Sequence, residues 1–123
     1  PWPPPTPHSM ETTMSYDVSI SCHTCGEDLM GGYGNMTSNV SGVWNKAGAP
    51  LKDWHGKTGV DVLPQLAAAI STLTNLDPYE RKEYEELVRG GGTWGTIESA
   101  HEFLCRIRDA ICRDPYSRIG ICR

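Results

Sequence analysis

Tyr16-Asp17-Val18-Ser19-Ile20-Ser21-Cys22-His23-Thr24-Cys25-Gly26 is the stretch from which the rest of the chain can be laid out. Tyr16, Val18 and Ile20 alternate with Asp17, Ser19 and Ser21, the two-residue period of a strand with one buried face. A strand is therefore expected from Tyr16 to Cys22, with a reversal from Thr24 to Asp28. A returning strand is expected from Glu27 to Tyr33, loosened by Gly31, Gly32 and Gly34. The polar run Asn35-Met36-Thr37-Ser38-Asn39 comes next. Its Thr37 or Ser38 is placed to cap a short helix through Val40, Val43 and Trp44 that stops at Gly48 before Pro50.

The far end of the chain supplies the cover for that hairpin. Ile97, Ala100, Leu104, Ile107 and Ile111 recur at spacings of three and four, an amphipathic helix that starts near Thr96 and ends at Asp114-Pro115. Ser117 to Cys122 reads as a closing strand able to pair with the first. Between the two ends, Leu51 to Gly59 reads as a loop. A helix is expected from Pro64, with Leu63, Leu66, Ala67, Ile70 and Leu73 as its apolar stripe. Asp77-Pro78 opens a charged helix from Tyr79 to Arg89 with Tyr84, Leu87 and Val88 inward, and Gly90-Gly91-Gly92 stops it. The expected fold is α+β: a small antiparallel sheet, an N-terminal hairpin plus a C-terminal strand, packed against three to four helices.

With 123 residues the chain suits one compact core, assigned to residues 14–123. Residues 1–13 hold five of the nine prolines and no Lys or Arg, which reads as a tag or disordered leader, with Met14 as the start of the domain. The net charge of −4 provides neither the basic face of a duplex binder nor the dense acid of a DNA mimic, so direct nucleic-acid contact is not expected. No apolar run approaches the roughly 20 residues that cross a bilayer. The five cysteines are an odd number with no export signal ahead of them, which fits reduced thiols in a cytoplasm. On that reading the two sequons, Asn35-Met36-Thr37 and Asn39-Val40-Ser41, are chance.

Tyr16-Asp17-Val18-Ser19-Ile20, Cys22-x-x-Cys25-Gly26, Asn35-x-Thr37-x-Asn39, Gly56-Lys57-Thr58-Gly59 before Leu63-Pro64, and Gly92-Thr93-Trp94-Gly95 follow one another in that order. In this the chain resembles a family of small proteins of actinobacterial bacteriophages and prophages whose biochemical activity is not known, over most of 15–121. The resemblance implies a product made in the cytoplasm of an infected bacterial host, and it implies no catalysis. Some members carry a plain hairpin where this chain has its paired cysteines. A metal there is then a structural option.

Cys22-x-x-Cys25-Gly26 is a spacing at which one tight turn aims two thiolates at a Zn²⁺ ion. That is half a site. His101 and Cys105, at i and i+4 on the last helix, present the other half, and a structural zinc on Cys22, Cys25, His101 and Cys105 would staple the hairpin to the helix. Cys122 with His23 or His55 makes a weaker completion. The plainer reading is unpaired thiols packed as small apolar groups. A redox dithiol is the third, although no helix N-terminus lies beneath the turn to favour its thiolate.

Arg89 and Trp94 flank a glycine-rich loop ahead of a helix start, where backbone N–H groups can bind an anion. The competing reading is a connector with Trp94 capping the core. Asn35, Thr37 and Asn39 either recognise a ligand or tie down their own loop. Tyr16, Tyr33, Trp44 and Trp54 are a contact patch or simply core. Gly56-Lys57-Thr58 imitates the end of a phosphate loop, but the first glycine of that motif would fall at Leu51, so a turn is the sounder reading. His55 has no evident catalytic partner, and no activated nucleophile, acid–base pair or open metal position is legible. The leading expectation is a non-enzymatic phage accessory protein that modulates a host or defence protein or sequesters a small signalling ligand, with a homodimer open to it. The competing class is a small zinc-stabilised nucleotide-binding protein or enzyme.

Overall fold

The computed structural model describes residues 15–32, 34–37, 40–88 and 96–122. Strand β1 (Ser15–Ser21) lies at the centre of a three-stranded antiparallel sheet, between β2 (Asn35–Thr37) and β3 (Arg118–Cys122). The alternation in β1 does what its period requires. Tyr16, Val18 and Ile20 are buried while Asp17 is exposed on the opposite face. Pairing of Ile20 with Ile119 and of Tyr16 with Met36 puts apolar side chains from all three strands on the inner face.

The described residues form four helices, α1 (Ser41–Ala47), α2 (Gly59–Thr74), α3 (Pro78–Val88) and α4 (Ile97–Arg113), of which α4 packs on β1 and the others on one another and on α4. The expected α+β architecture is the observed one. The core centres on Trp44, whose ring stacks on Phe103 at 5.5 Å and meets the edge of Tyr16 at 5.3 Å. Its indole N–H donates to the Ala100 carbonyl at 3.2 Å. Full burial of side chains of this size is worth about 1.5–3 kcal/mol each. Trp54 is also buried, its N–H donating to Gln65 Oε1. Of the candidate contact patch, Tyr16, Trp44 and Trp54 are therefore core, and Tyr33 lies outside the described residues. No helix among them is long and apolar enough to cross a membrane.

Three boundaries differ from the sequence expectation. The return from the thiol turn, expected as a strand over Glu27–Tyr33, is not one from Glu27 to Gly32, the part that is described. It touches β1 through a single bridge, Ser21 to Asp28, swings out through Gly31 and Gly32 at φ +62° and +86°, and pairs properly only at β2. Asp28 drives the departure, because its Oδ1 accepts from the backbone N–H of Ile20 and of Met30. Helix α2 starts at Gly59 rather than Pro64. Its first N–H groups are already satisfied by Ser117 and Pro115 carbonyls, which extends the helix a turn and a half upstream. Pro64 then sits inside the helix, with its side chain exposed. Finally, Thr37 belongs to β2, the N-cap position of α1 is the fully buried Val40, which supplies no side-chain cap, and Ser38 lies outside the described residues.

The last helix matches expectation most closely. Thr96 and Ser99 form a reciprocal capping box, and Ile97, Ala100, Phe103, Leu104, Ile107, Ala110 and Ile111 are buried. The free edge of β3 is covered by the loop after Trp54: Gly56 N–H donates to Ile119 and Ile119 N–H to Lys57. Gly56-Lys57-Thr58 is thus an edge turn, as its failed phosphate-loop spacing suggested.

Candidate functional site

Tyr16, Val18, Ile20 and Ile119 face the core, so the alternate, outward side chains of the strands form a second surface. Antiparallel register fixes what stands there. Asp17 is flanked by Asn35 and Cys122, Ser19 by Gly120, and Ser21 by Arg118. Gly120 leaves room that any side chain would fill, since a Cβ there would come within 2.5 Å of Ser19 Oγ. The result is a cleft of about 440 Å³ floored by Ser19 and Gly120.

The rim of this cleft is polar and held in place. Asn35 donates through Nδ2 to Asp17 Oδ1 at 2.7 Å across the β1–β2 pair. Asp28 enters from the departing loop with its carboxylate fixed by two backbone N–H groups. On the opposite wall His55 Nδ1 accepts the Ile121 N–H at 2.9 Å, extending the edge pairing of β3. An imidazole that accepts at Nδ1 carries its proton on Nε2, so it offers the cleft a donor. Two carboxylates line the cleft, and no Lys or Arg stands among its described lining residues.

The thiol turn lies at the end of β1. Gly26 N–H donates to the Cys22 carbonyl and Cys22 N–H to Glu27, with Gly26 at φ +76°. His23 anchors the turn to the C-terminal end of α4: its N–H donates to Asp114 Oδ2 at 2.7 Å, and its ring Nδ1 lies 2.7–2.8 Å from both carboxylate oxygens. Asp114 is buried, and these bonds hold its carboxyl below the ordinary Asp range, the His23 backbone N–H contributing most and the His23 ring next. Cys22 Sγ lies 3.1 Å from Thr24 Oγ1. Its thiol is lowered to about 7, first by the Thr24 hydroxyl and then by the N–H groups of Cys25 and Thr24 and by the Cys25 thiol.

The four expected zinc ligands form two pairs rather than one centre. Cys22 and Cys25 flank His23, which is held to Asp114 just past the end of α4. His101 and Cys105 face each other at 3.9 Å, with His101 Nε2 2.9 Å from Thr74 Oγ1 at the end of α2. Asp114 lies nine residues past Cys105 and thirteen past His101, about 14 and 20 Å along the helix axis, whereas zinc–sulfur bonds of about 2.3 Å need ligands gathered around one point. Among the described residues, no group of three or more His, Cys, Asp and Glu is placed to hold a metal ion.

The polar cluster is brought in only in part. Asn35 joins the cleft, and Thr37 ends β2 on the strand that carries it. Asn39, Arg89 and Trp94 lie outside the described residues. Sequence reasoning passed over Asp17, Ser19, Asp28 and Gly120; it placed His55 in a loop, where it lies exposed, but did not connect it to β3. Only the outward half of the β1 alternation pointed to this face. Comparison with protein-family models, curated proteins and solved structures finds no match for this chain.

Proposed function

We propose that this chain is a non-enzymatic accessory protein of a bacteriophage, working in the infected bacterial cytoplasm, that captures a small cationic ligand on the outer face of its sheet. The phage setting comes from the order of motifs in the sequence. The binding reading is carried by one observation: a 440 Å³ cleft that presents Asp17 and Asp28 with no Lys or Arg in its described lining. That volume falls within the range of small-molecule sites, roughly 300–1,000 Å³. Carboxylates held by neighbouring N–H groups favour an amine or guanidinium through charge-assisted hydrogen bonds. A phosphate would instead meet like charge, which weighs against the nucleotide alternative at this cleft.

Titration calorimetry with spermidine and agmatine, with AMP as the anionic control, tests the reading. The amines bind, salt weakens them, and Asp17→Asn or Asp28→Asn reduces affinity about tenfold or more, since a hydrogen bond to a charged group is worth about 1.5–3 kcal/mol. Binding of AMP in preference to both amines, or amine affinity untouched by either substitution, refutes it.

A further inference from the structure

We propose that Cys22 and Cys25 are a thiol–disulfide exchange pair, with Cys22 the attacking sulfur and Cys25 the resolving one. Three features of the turn carry this. The first is reach. The two cysteines are the ends of a four-residue turn, Cys22 to Cys25, inside the closure made by Gly26 N–H on the Cys22 carbonyl at 2.9 Å. Turn ends of this kind lie within about 7 Å between Cα atoms, and a disulfide spans about 4.4–6.8 Å. The bond can therefore form with little movement of the backbone.

The second feature is the asymmetry of the two sulfurs. Cys22 Sγ has the Thr24 hydroxyl at 3.1 Å, a donor for a thiolate at that atom, and the more exposed Cys25 is left to complete the exchange. The third is the anchor. His23, between the two thiols, is drawn to Asp114 by both its N–H and its ring, so the turn is fastened while Cys25 stays open to solvent. The remaining cysteines sit on other elements: Cys105 and Cys112 on α4, Cys122 at the end of β3.

With a small disulfide as oxidant, the step balances within the pair. The Cys22 thiolate attacks one sulfur of oxidised glutathione, whose S–S bond breaks, and the departing glutathione thiolate takes up the proton that Cys22 released. Cys25 then loses its proton, and its thiolate attacks the Cys22 sulfur of the mixed disulfide. The second glutathione leaves and is protonated. Two electrons and two protons pass from the turn to the oxidant, which ends as two thiols.

The test uses the full chain, reduced and then equilibrated across mixtures of reduced and oxidised glutathione, quenched by alkylation and mapped by mass spectrometry. One bond forms between Cys22 and Cys25 and reverses as the ratio is changed. In Cys25→Ser the exchange stalls with glutathione on Cys22, arriving at least about tenfold faster than at Cys112 or Cys122, because attack depends on thiolate fraction and access. The unsubstituted chain gives the first readout, so the test does not rest on the variant folding. No Cys22–Cys25 bond at any ratio, a bond joining another pair, or copurified zinc that shields both thiols until it is chelated would each overturn the proposal. Amine binding at the cleft has no part in either outcome.

Discussion

Gly34→Ala is the substitution through which the geometry of the sheet is most directly tested. The Gly34 carbonyl accepts the Val18 N–H at 2.7 Å, and a Cβ at Gly34 would land well inside contact with the Val18 carbonyl oxygen. That neighbour is backbone in the central strand and cannot rotate away. Overpacking of this kind costs about 1–3 kcal/mol, and loss of the Val18–Gly34 hydrogen bond adds about 0.5–1.5 kcal/mol. The expected destabilisation is about 2–4 kcal/mol, a large share of the roughly 5–15 kcal/mol that holds a domain folded. With urea slopes of roughly 1–3 kcal/mol/M, the denaturation midpoint falls by about 1 M or more. Gly32→Ala is the matched control. Gly32 sits at φ +86° with open space where its Cβ would go, so its cost is conformational, about 1–2 kcal/mol. Since β2 carries Asn35 against Asp17, Gly34→Ala also weakens spermidine binding, whereas Gly32→Ala leaves β2 paired. A Gly34→Ala midpoint no lower than that of Gly32→Ala would refute the reasoning.

Other outcomes follow from single groups. Ser117 Oγ is fully buried without a hydrogen-bond partner among the described residues, so Ser117→Ala is neutral or stabilising by about 1 kcal/mol in urea melts; a loss of stability contradicts the assignment. The Asp114 carboxyl is held below its unfolded value, so its contribution is present above that value, about 3.9, and is lost as pH falls through the folded one. Midpoints measured from pH 5 downward therefore drop less steeply in Asp114→Asn than in the parent, and parallel curves rule the effect out. Iodoacetamide labelling of Cys22 rises with pH around a midpoint of about 7, the Thr24 hydroxyl being the largest cause, and Thr24→Ala moves that midpoint upward. An unchanged midpoint in Thr24→Ala removes the hydroxyl from the account.

Much of the fold was legible because periodicity reports burial directly. The α4 face and the inward half of β1 were read from spacing alone, and β3 was read as a closing strand able to pair with β1. The errors fall where a side chain or a distant segment supplied hydrogen bonds that local pattern cannot reveal. Asp28 captured backbone N–H groups and turned the chain off its strand, and the Ser117 and Pro115 carbonyls began α2 early. The candidate site was less legible. Asn35 was singled out in a polar cluster, but Asp17 and Ser19 looked like ordinary solvent-facing strand positions, and nothing local linked His55 to β3.

The sequence by itself determined an α+β chain with one buried sheet face, a terminal amphipathic helix and a two-thiol turn, since strand and helix periods and turn chemistry are local properties. Only the tertiary structure decided which residues share a surface. Antiparallel register set Asp17 between Asn35 and Cys122, and a side-chain pair ninety-one residues apart, His23 and Asp114, fixed the thiol turn at the far end of α4 from His101. Register and docking arise from contacts between segments remote in the chain, and no local pattern of residues encodes which of those contacts wins.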